Sequence, residues 1–332
     1  MFRQSVLPRW KGFNLTGMSS ERQTGHFDEE DFQLMSDWGF NFARLPLSYI
    51  LWIEDGDEFK INEDKLMPLD EAVRWGKKYG IHINIAFHRG PGYCINNDRT
   101  ERLDLWKDQE ALDCFVCHWE TFARRYKGSS YDNVSFNMLN EPFRVAPEVH
   151  SRIMRTVTRA IHKIDPGRLC ILDGIRTGHY PIPDLGDLAK ENVAQSCRAY
   201  IPFGLTHYRV PSADRNKSFP YPTWPVNYSG DGYLCTSERL DAHYRAWAAV
   251  AEVYNMGVHC GEGGTYSTVP HEIALRWLED CLTSLKTYNI GYAQWNFKGP
   301  FGILDSGRMD VDYVDYKGHK LDKKMLNLLI KY

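Results

Sequence analysis

Short apolar runs alternate with longer helical stripes along this chain, and no other feature constrains its fold so tightly. Gly12 to Leu15, Phe40 to Leu45, Ile81 to Phe87, Val134 to Leu139, Leu169 to Leu172, a span within Ala194 to Tyr208, Val258 to Cys260 and Gly291 to Trp295 read as strands. Their length and near-continuous apolar character suit strands covered on both faces. The stripes between them have the helical period. The clearest is Leu112, Phe115, Val116, Trp119, Phe122, Ala123 and Tyr126, followed by Val149, Ile153, Val157, Ile161 and Ile164, which Pro166-Gly167 stops. Eight strands alternating with eight helices predict an α/β fold of the (β/α)8 TIM barrel type. A doubly wound sheet is disfavoured, because no glycine-rich phosphate loop follows the first strand; Gly12 and Gly25 are isolated. No linker, charge block or low-complexity run divides the 332 residues, so one catalytic domain spanning 1–332 is expected.

In such a barrel the C-terminal ends of the strands open on one face, where catalytic groups collect. Arg44, His88, Asn140, Glu141, His207, Tyr208, Glu262 and Trp295 all fall at predicted strand ends. Pro142, which has no backbone N–H, marks the stop after Asn140-Glu141. Glu141 and Glu262 close strands four and seven, and strands three apart in a ring of eight approach across its mouth. Two carboxylates without a nucleotide loop or a metal cluster suggest cleavage of a glycosidic bond, one carboxyl protonating the leaving oxygen while the other attacks the anomeric carbon. A separation of about 5–5.5 Å would mean a covalent intermediate and retention; about 6.5–9.5 Å would mean inversion. Glu262 stands between Gly261 and Gly263, which add no packing to a strand, and so reads as catalytic.

A net charge of −3 supplies no basic field, which argues against a nucleic-acid partner or an anionic membrane surface. Ten Trp and nineteen Tyr suit a surface that stacks on flat, hydroxylated molecules. The stretch from Arg209 to about Ser237 carries Phe219, Tyr221, Trp224, Tyr228 and Tyr233 and is too long for a mere connection. It reads as an ordered lid, with Trp224 and Tyr221 either packing it or forming a sugar platform. The eight Cys include Cys114-x-x-Cys117 inside a helix stripe with no second pair to complete a zinc site, so buried thiols are expected and neither metal nor cofactor is implied. Met1 to Trp10 has no signal-peptide h-region, and no stretch of membrane-spanning length follows. Either the protein works in the cytoplasm or a signal peptide was removed.

Arg44 in Arg-Leu-Pro, His88 after Ile-Ala-Phe, Asn140-Glu141-Pro142, His207-Tyr208, Gly261-Glu262 and Gln294-Trp295 together resemble the cellulase family of retaining glycosidases, glycoside hydrolase family five. The likeness covers nearly the whole chain in order. It implies that Glu141 is the general acid/base and Glu262 the nucleophile, that Asn140 bonds the sugar 2-OH, and that Arg44 keeps the nucleophile ionised. It further implies that Tyr208 donates to Glu262, that His88 and His207 line the subsite on the non-reducing side, and that Trp295 is the platform there. In many members the histidine and tyrosine of strand six are one residue apart, whereas His207 and Tyr208 are adjacent and would face opposite ways on a strand. The expected activity is hydrolysis of a β-linked polysaccharide or oligosaccharide, first of all as an endo-β-1,4-glucanase. β-Mannan, xyloglucan or β-1,3-glucan is the alternative within the class. A non-catalytic carbohydrate-binding barrel and a metal-dependent barrel hydrolase are the rivals outside it; the second lacks His and Asp ligands grouped on strands one, four and five.

Overall fold

The computed structural model describes residues 7–96, 99–211, 220–228 and 233–332, and the fold is a (β/α)8 barrel. Its strands are β1 (Lys11–Asn14), β2 (Phe42–Ser48), β3 (His82–Gly90), β4 (Val134–Asn137), β5 (Cys170–Asp173), β6 (Val193–Ala199), β7 (Gly257–Gly263) and β8 (Gly291–Gln294). Among the described residues the long helices are α1 (Glu29–Asp37), α2 (Met67–Tyr79), α3 (Gln109–Tyr126), α4 (Pro147–Ile164), α5 (Ser237–Tyr254), α6 (His271–Thr287) and α7 (Lys323–Lys331). The eighth expected helix is missing between β5 and β6, where only Ile175–Gly178 and a 3-10 turn at Gly186–Lys190 form. Gly174, Gly178, Pro181, Pro183 and Gly186 leave that connection no uninterrupted helical stretch.

The chain groups into two compact units, one of Leu15–Cys197 and one of Arg198–Tyr332 with the N-terminal stretch up to Asn14. In the first, β2 to β6 pair in sequence order and in parallel, with Arg44 opposite Asn84, Asn84 opposite Ser135, Asn137 opposite Ile171 and Asp173 opposite Ser196. In the second, β8 pairs with both β1 and β7, placing Gly12 opposite Ala293 and Cys260 opposite Tyr292.

The two-residue period of the strands sorts their side chains. Phe87 stacks on Trp119 of α3 at 4.3 Å between ring centres, and Phe136 of β4 lies 5.2 Å from the same ring. Ile83 meets α2 at Gly76, where an added Cβ would lie 2.5 Å from the isoleucine, so the helix seats there only without a side chain. The alternate positions include a polar layer. Phe42 stacks on His82, Asn84 donates to Ser135 Oγ at 2.8 Å, and this layer leads up to Arg44 and Asn137.

Several strand ends differ from expectation. Pro46 does not stop β2, which runs on to Ser48; the proline removes one donor, and Ser48 N–H finds Met18 O at 2.9 Å. β3 continues past His88 to Gly90. β6 ends at Ala199, far short of His207.

Buried histidines make the first unit sensitive to acid. His118 accepts from Trp52 Nε1 at Nδ1 (2.9 Å) and donates from Nε2 to Glu58 O (2.7 Å), an arrangement that only the neutral ring satisfies. Burial pushes its pKa down to about 4, as it does for His82 and His150. The unfolded chain takes up these protons near pH 6.5, so the stabilising preference for the neutral ring is complete above that pH and is lost as pH falls towards 4. Each pH unit over which one more proton binds the unfolded chain costs about 1.4 kcal/mol. Urea midpoints should therefore fall between pH 6.5 and 4.5, and less steeply in His118→Gln, whose amide can accept and donate without titrating. Equal slopes in the two proteins would refute this.

Candidate active site

Glu141 lies at the centre of one polar cluster formed by residues of Leu15–Cys197. Arg44 is fully buried on β2 and donates from Nε to Asn137 Oδ1 and from Nη2 to Asn140 Oδ1, each at 2.9 Å. Asn137 Nδ2 donates onward to Asp173 Oδ1 at 2.9 Å, and Asp173 Oδ2 accepts the backbone N–H of Glu141, also at 2.9 Å. On the other side of that residue, Tyr93 Oη donates to Glu141 O at 2.7 Å. Burial and the Glu141 charge push the Tyr93 phenol well above its usual pKa, so it remains a donor.

Glu141 itself has φ 48°, in the left-handed region that costs a residue with a Cβ about 1–2 kcal/mol. Asn140 just before it is buried and anchored through its N–H to Phe87 O at 2.8 Å. His88, 8% exposed at the top of β3, has Nε2 3.3 Å from Asn96 Nδ2.

Glu262 lies at the centre of a second cluster, built within the other unit. It sits on β7 with only 3% exposure; Tyr200 Oη donates to its Oε2 at 3.2 Å and Arg198 Nη2 lies 3.5 Å from its Oε1. Arg198 is itself 1% exposed, and arginine does not deprotonate in proteins. A guanidinium and a phenol O–H both favour the ionised carboxylate over the acid. The flanking glycine has a packing reason as well: a Cβ on Gly263 would lie 2.5 Å from the Cβ of Ala199. Asn14, at the end of β1, donates to Gly261 O at 2.9 Å and ties the strand below the carboxylate. Trp295 follows β8 half-buried, its N–H bonded to Gly263 O at 2.7 Å.

The sequence model of the cellulase family, glycosyl hydrolase family 5, matches residues 6–299. The chain belongs to this family. It is a glycoside hydrolase. Endoglucanase C of Acetivibrio thermocellus is 25% identical over 96% of this chain and 97% of its own. Cellodextrinase A of Ruminococcus flavefaciens is 28% identical over 81% and 80%. A solved glycoside hydrolase structure matches with a TM-score of 0.90 at 35% identity, covering 97% of this chain and 99% of that one. Cel5A of Thermotoga maritima, solved in complex with mannotriose, has the same fold, with a TM-score of 0.79 at 19% identity and 97% coverage of both chains.

In this family 5 chain, two expected placements need correction, those of Tyr208 and His207. The phenol on Glu262 belongs to Tyr200, not to Tyr208. β6 ends at Ala199, and it is Arg198 and Tyr200, one residue apart, that reach Glu262. His207 and Tyr208 come after the one-turn helix Phe203–Thr206. His207 packs edge-on to Tyr200 at 4.9 Å and stacks on Phe203 at 4.1 Å, and this enclosure pushes its pKa down to about 4. Tyr208 is buried, with Arg209 over its ring and Tyr221 at its edge. Trp224 does not form an open platform: it is 4% exposed and donates from Nε1 to Asp280 of α6 at 2.8 Å. Tyr221 keeps an exposed ring. Phe219 and the neighbouring residues 212–218 and 229–232 of the expected lid lie outside the described residues, as do the side chains of Tyr228 and Tyr233.

Asp173, Asn137, Tyr93, Arg198 and Tyr200 escaped the reading of the sequence. The signal for the last two was Pro202, which follows Tyr200 as Pro142 follows Asn140-Glu141.

Proposed function

We propose that this family 5 hydrolase is a retaining endo-β-1,4-glucanase and that its two units act as one catalytic domain. Glu141 is the acid/base and Glu262 the nucleophile. The observation that carries this reading is the contrast between the two carboxylates. Glu262 faces the Arg198 guanidinium and the Tyr200 hydroxyl, partners that favour the carboxylate a nucleophile requires, while Glu141 is half-buried on a turn fixed through its backbone by Asp173 and Tyr93, as a positioned acid/base requires. Asn140, oriented by Arg44, bonds the 2-OH; His88 and Trp295 line the non-reducing side, and Tyr221 offers a ring to a longer chain. His207 and Tyr208 buttress Tyr200 and Tyr221 and do not touch sugar. Length and identity to Endoglucanase C support β-1,4-glucan as the substrate.

Two measurements test this. Proton NMR of the first product from cellotetraose should show the β anomer before mutarotation, and an α anomer would remove Glu262 as nucleophile. A panel of carboxymethyl cellulose, β-mannan, xyloglucan and β-1,3-glucan should give the largest kcat/KM on the first, with internal cleavage.

A further inference from the structure

We propose that Asp173 is a positioning residue for Glu141: together with Tyr93 it clamps both backbone polar groups of Glu141 and so holds the left-handed turn that aims the acid/base carboxyl. The inference rests on Glu141 being the acid/base.

Asp173 closes β5 at 1% exposure, 32 residues along the chain from Glu141, and gives it the acceptor for its N–H. Tyr93, 48 residues away on the other side, gives the donor for its carbonyl. Two elements distant in sequence therefore hold the turn. Its consequence follows from strand geometry. Successive side chains of an extended chain point to opposite faces, so Asn140 and Glu141 serve one sugar only if the backbone leaves the extended form between them. The positive φ of Glu141 is where it does so. The buried Asp173 charge is offset through Asn137, whose amide links it to the Arg44 guanidinium, and Arg44 also fixes Asn140. One network thus sets the residue that reads the sugar and the residue that moves the proton.

Asp173→Asn tests this in the full chain. The carboxylate accepts one donor on each oxygen, whereas the amide has a single oxygen, so either Glu141 N–H or Asn137 Nδ2 would meet an NH2 group. Tyr93→Phe loosens the other jaw. The readout is kcat/KM, which reports bond cleavage, on cellotetraose, whose leaving group needs a proton, and on 2,4-dinitrophenyl β-cellobioside, whose leaving group does not. Asp173→Asn should lower the first by about 10–100-fold and the second by less than about threefold, because a misaimed acid costs only the reaction that needs it. Tyr93→Phe should show the same selectivity at smaller size. An equal loss on both substrates, or no loss on either, overturns the proposal. If Asp173→Asn does not fold, as judged by circular dichroism, Tyr93→Phe decides it by the same criterion. Glu141→Ala, measured alongside, separates the two assignments. If it lacks the selectivity, Glu141 is not the acid/base and the proposal fails with it; if it shows the selectivity and Asp173→Asn does not, the Asp173 role alone fails.

Discussion

Glu262→Gln is expected to lower kcat/KM for an aryl β-cellobioside by about 10⁴–10⁶-fold, the size of effect seen when a covalent nucleophile is removed from a preorganised site. The substitution keeps the volume of a side chain that is 3% exposed, so packing on β7 is preserved while the attacking oxygen is lost. It also reverses the local electrostatics. Arg198 lies 3.5 Å from one carboxylate oxygen and the Tyr200 phenol donates to the other at 3.2 Å, and a neutral amide offers one of them a weaker acceptor and turns its NH2 towards the other. Glu262→Ala opens space where a small anion can replace the carboxylate, and Arg198 supplies a positive charge to draw it in. Azide should therefore restore turnover of the activated cellobioside and give the α-glycosyl azide, read by proton NMR. Retention of more than about a tenth of the activity by Glu262→Gln would remove the residue from the reaction.

Arg198, beside Glu262, shows where reading the sequence stopped. The eight strands were legible because each is a short apolar run bounded by turn residues, and that signal survives a shift of one or two positions. Strand six was the exception. Its continuation Tyr200-Ile201-Pro202 is as apolar as the strand itself, so the reading ran on to His207 and Tyr208, and a His-Tyr pair there drew the assignment eight residues too far. Glu141 and Glu262 were singled out because both were read at strand ends, which is where a barrel collects catalytic groups. What holds the carboxylates was not. Asp173, Asn137 and Tyr93 act through single hydrogen bonds to residues 32 to 93 positions away, and no periodicity in the chain encodes such a partner. Whether Trp224 packs the lid or forms an open platform stayed undecided for a related reason. Composition says that an aromatic lid exists, but only tertiary packing says that this indole is turned inward to Asp280.

Glu141→Ala should separate the two halves of the reaction. With cellotetraose, kcat/KM is expected to fall by about 10²–10⁴-fold, the range that a positioned general acid supplies. With 2,4-dinitrophenyl β-cellobioside the first step needs no proton and should proceed, but water then attacks the glycosyl-enzyme without a base. A burst of dinitrophenolate close to one equivalent of enzyme should be followed by slow turnover. Azide, which needs no base, should accelerate that second phase and give the β-glycosyl azide, opposite in anomer to the product rescued from Glu262→Ala. The opposition of the two anomers is the decisive point. Each azide enters from the face whose carboxylate has been removed, so α from one variant and β from the other places Glu141 and Glu262 on opposite sides of the same bond. If neither burst nor rescue appears in Glu141→Ala, the left-handed turn at Glu141 would serve sugar binding, and the proton would have to come from another group.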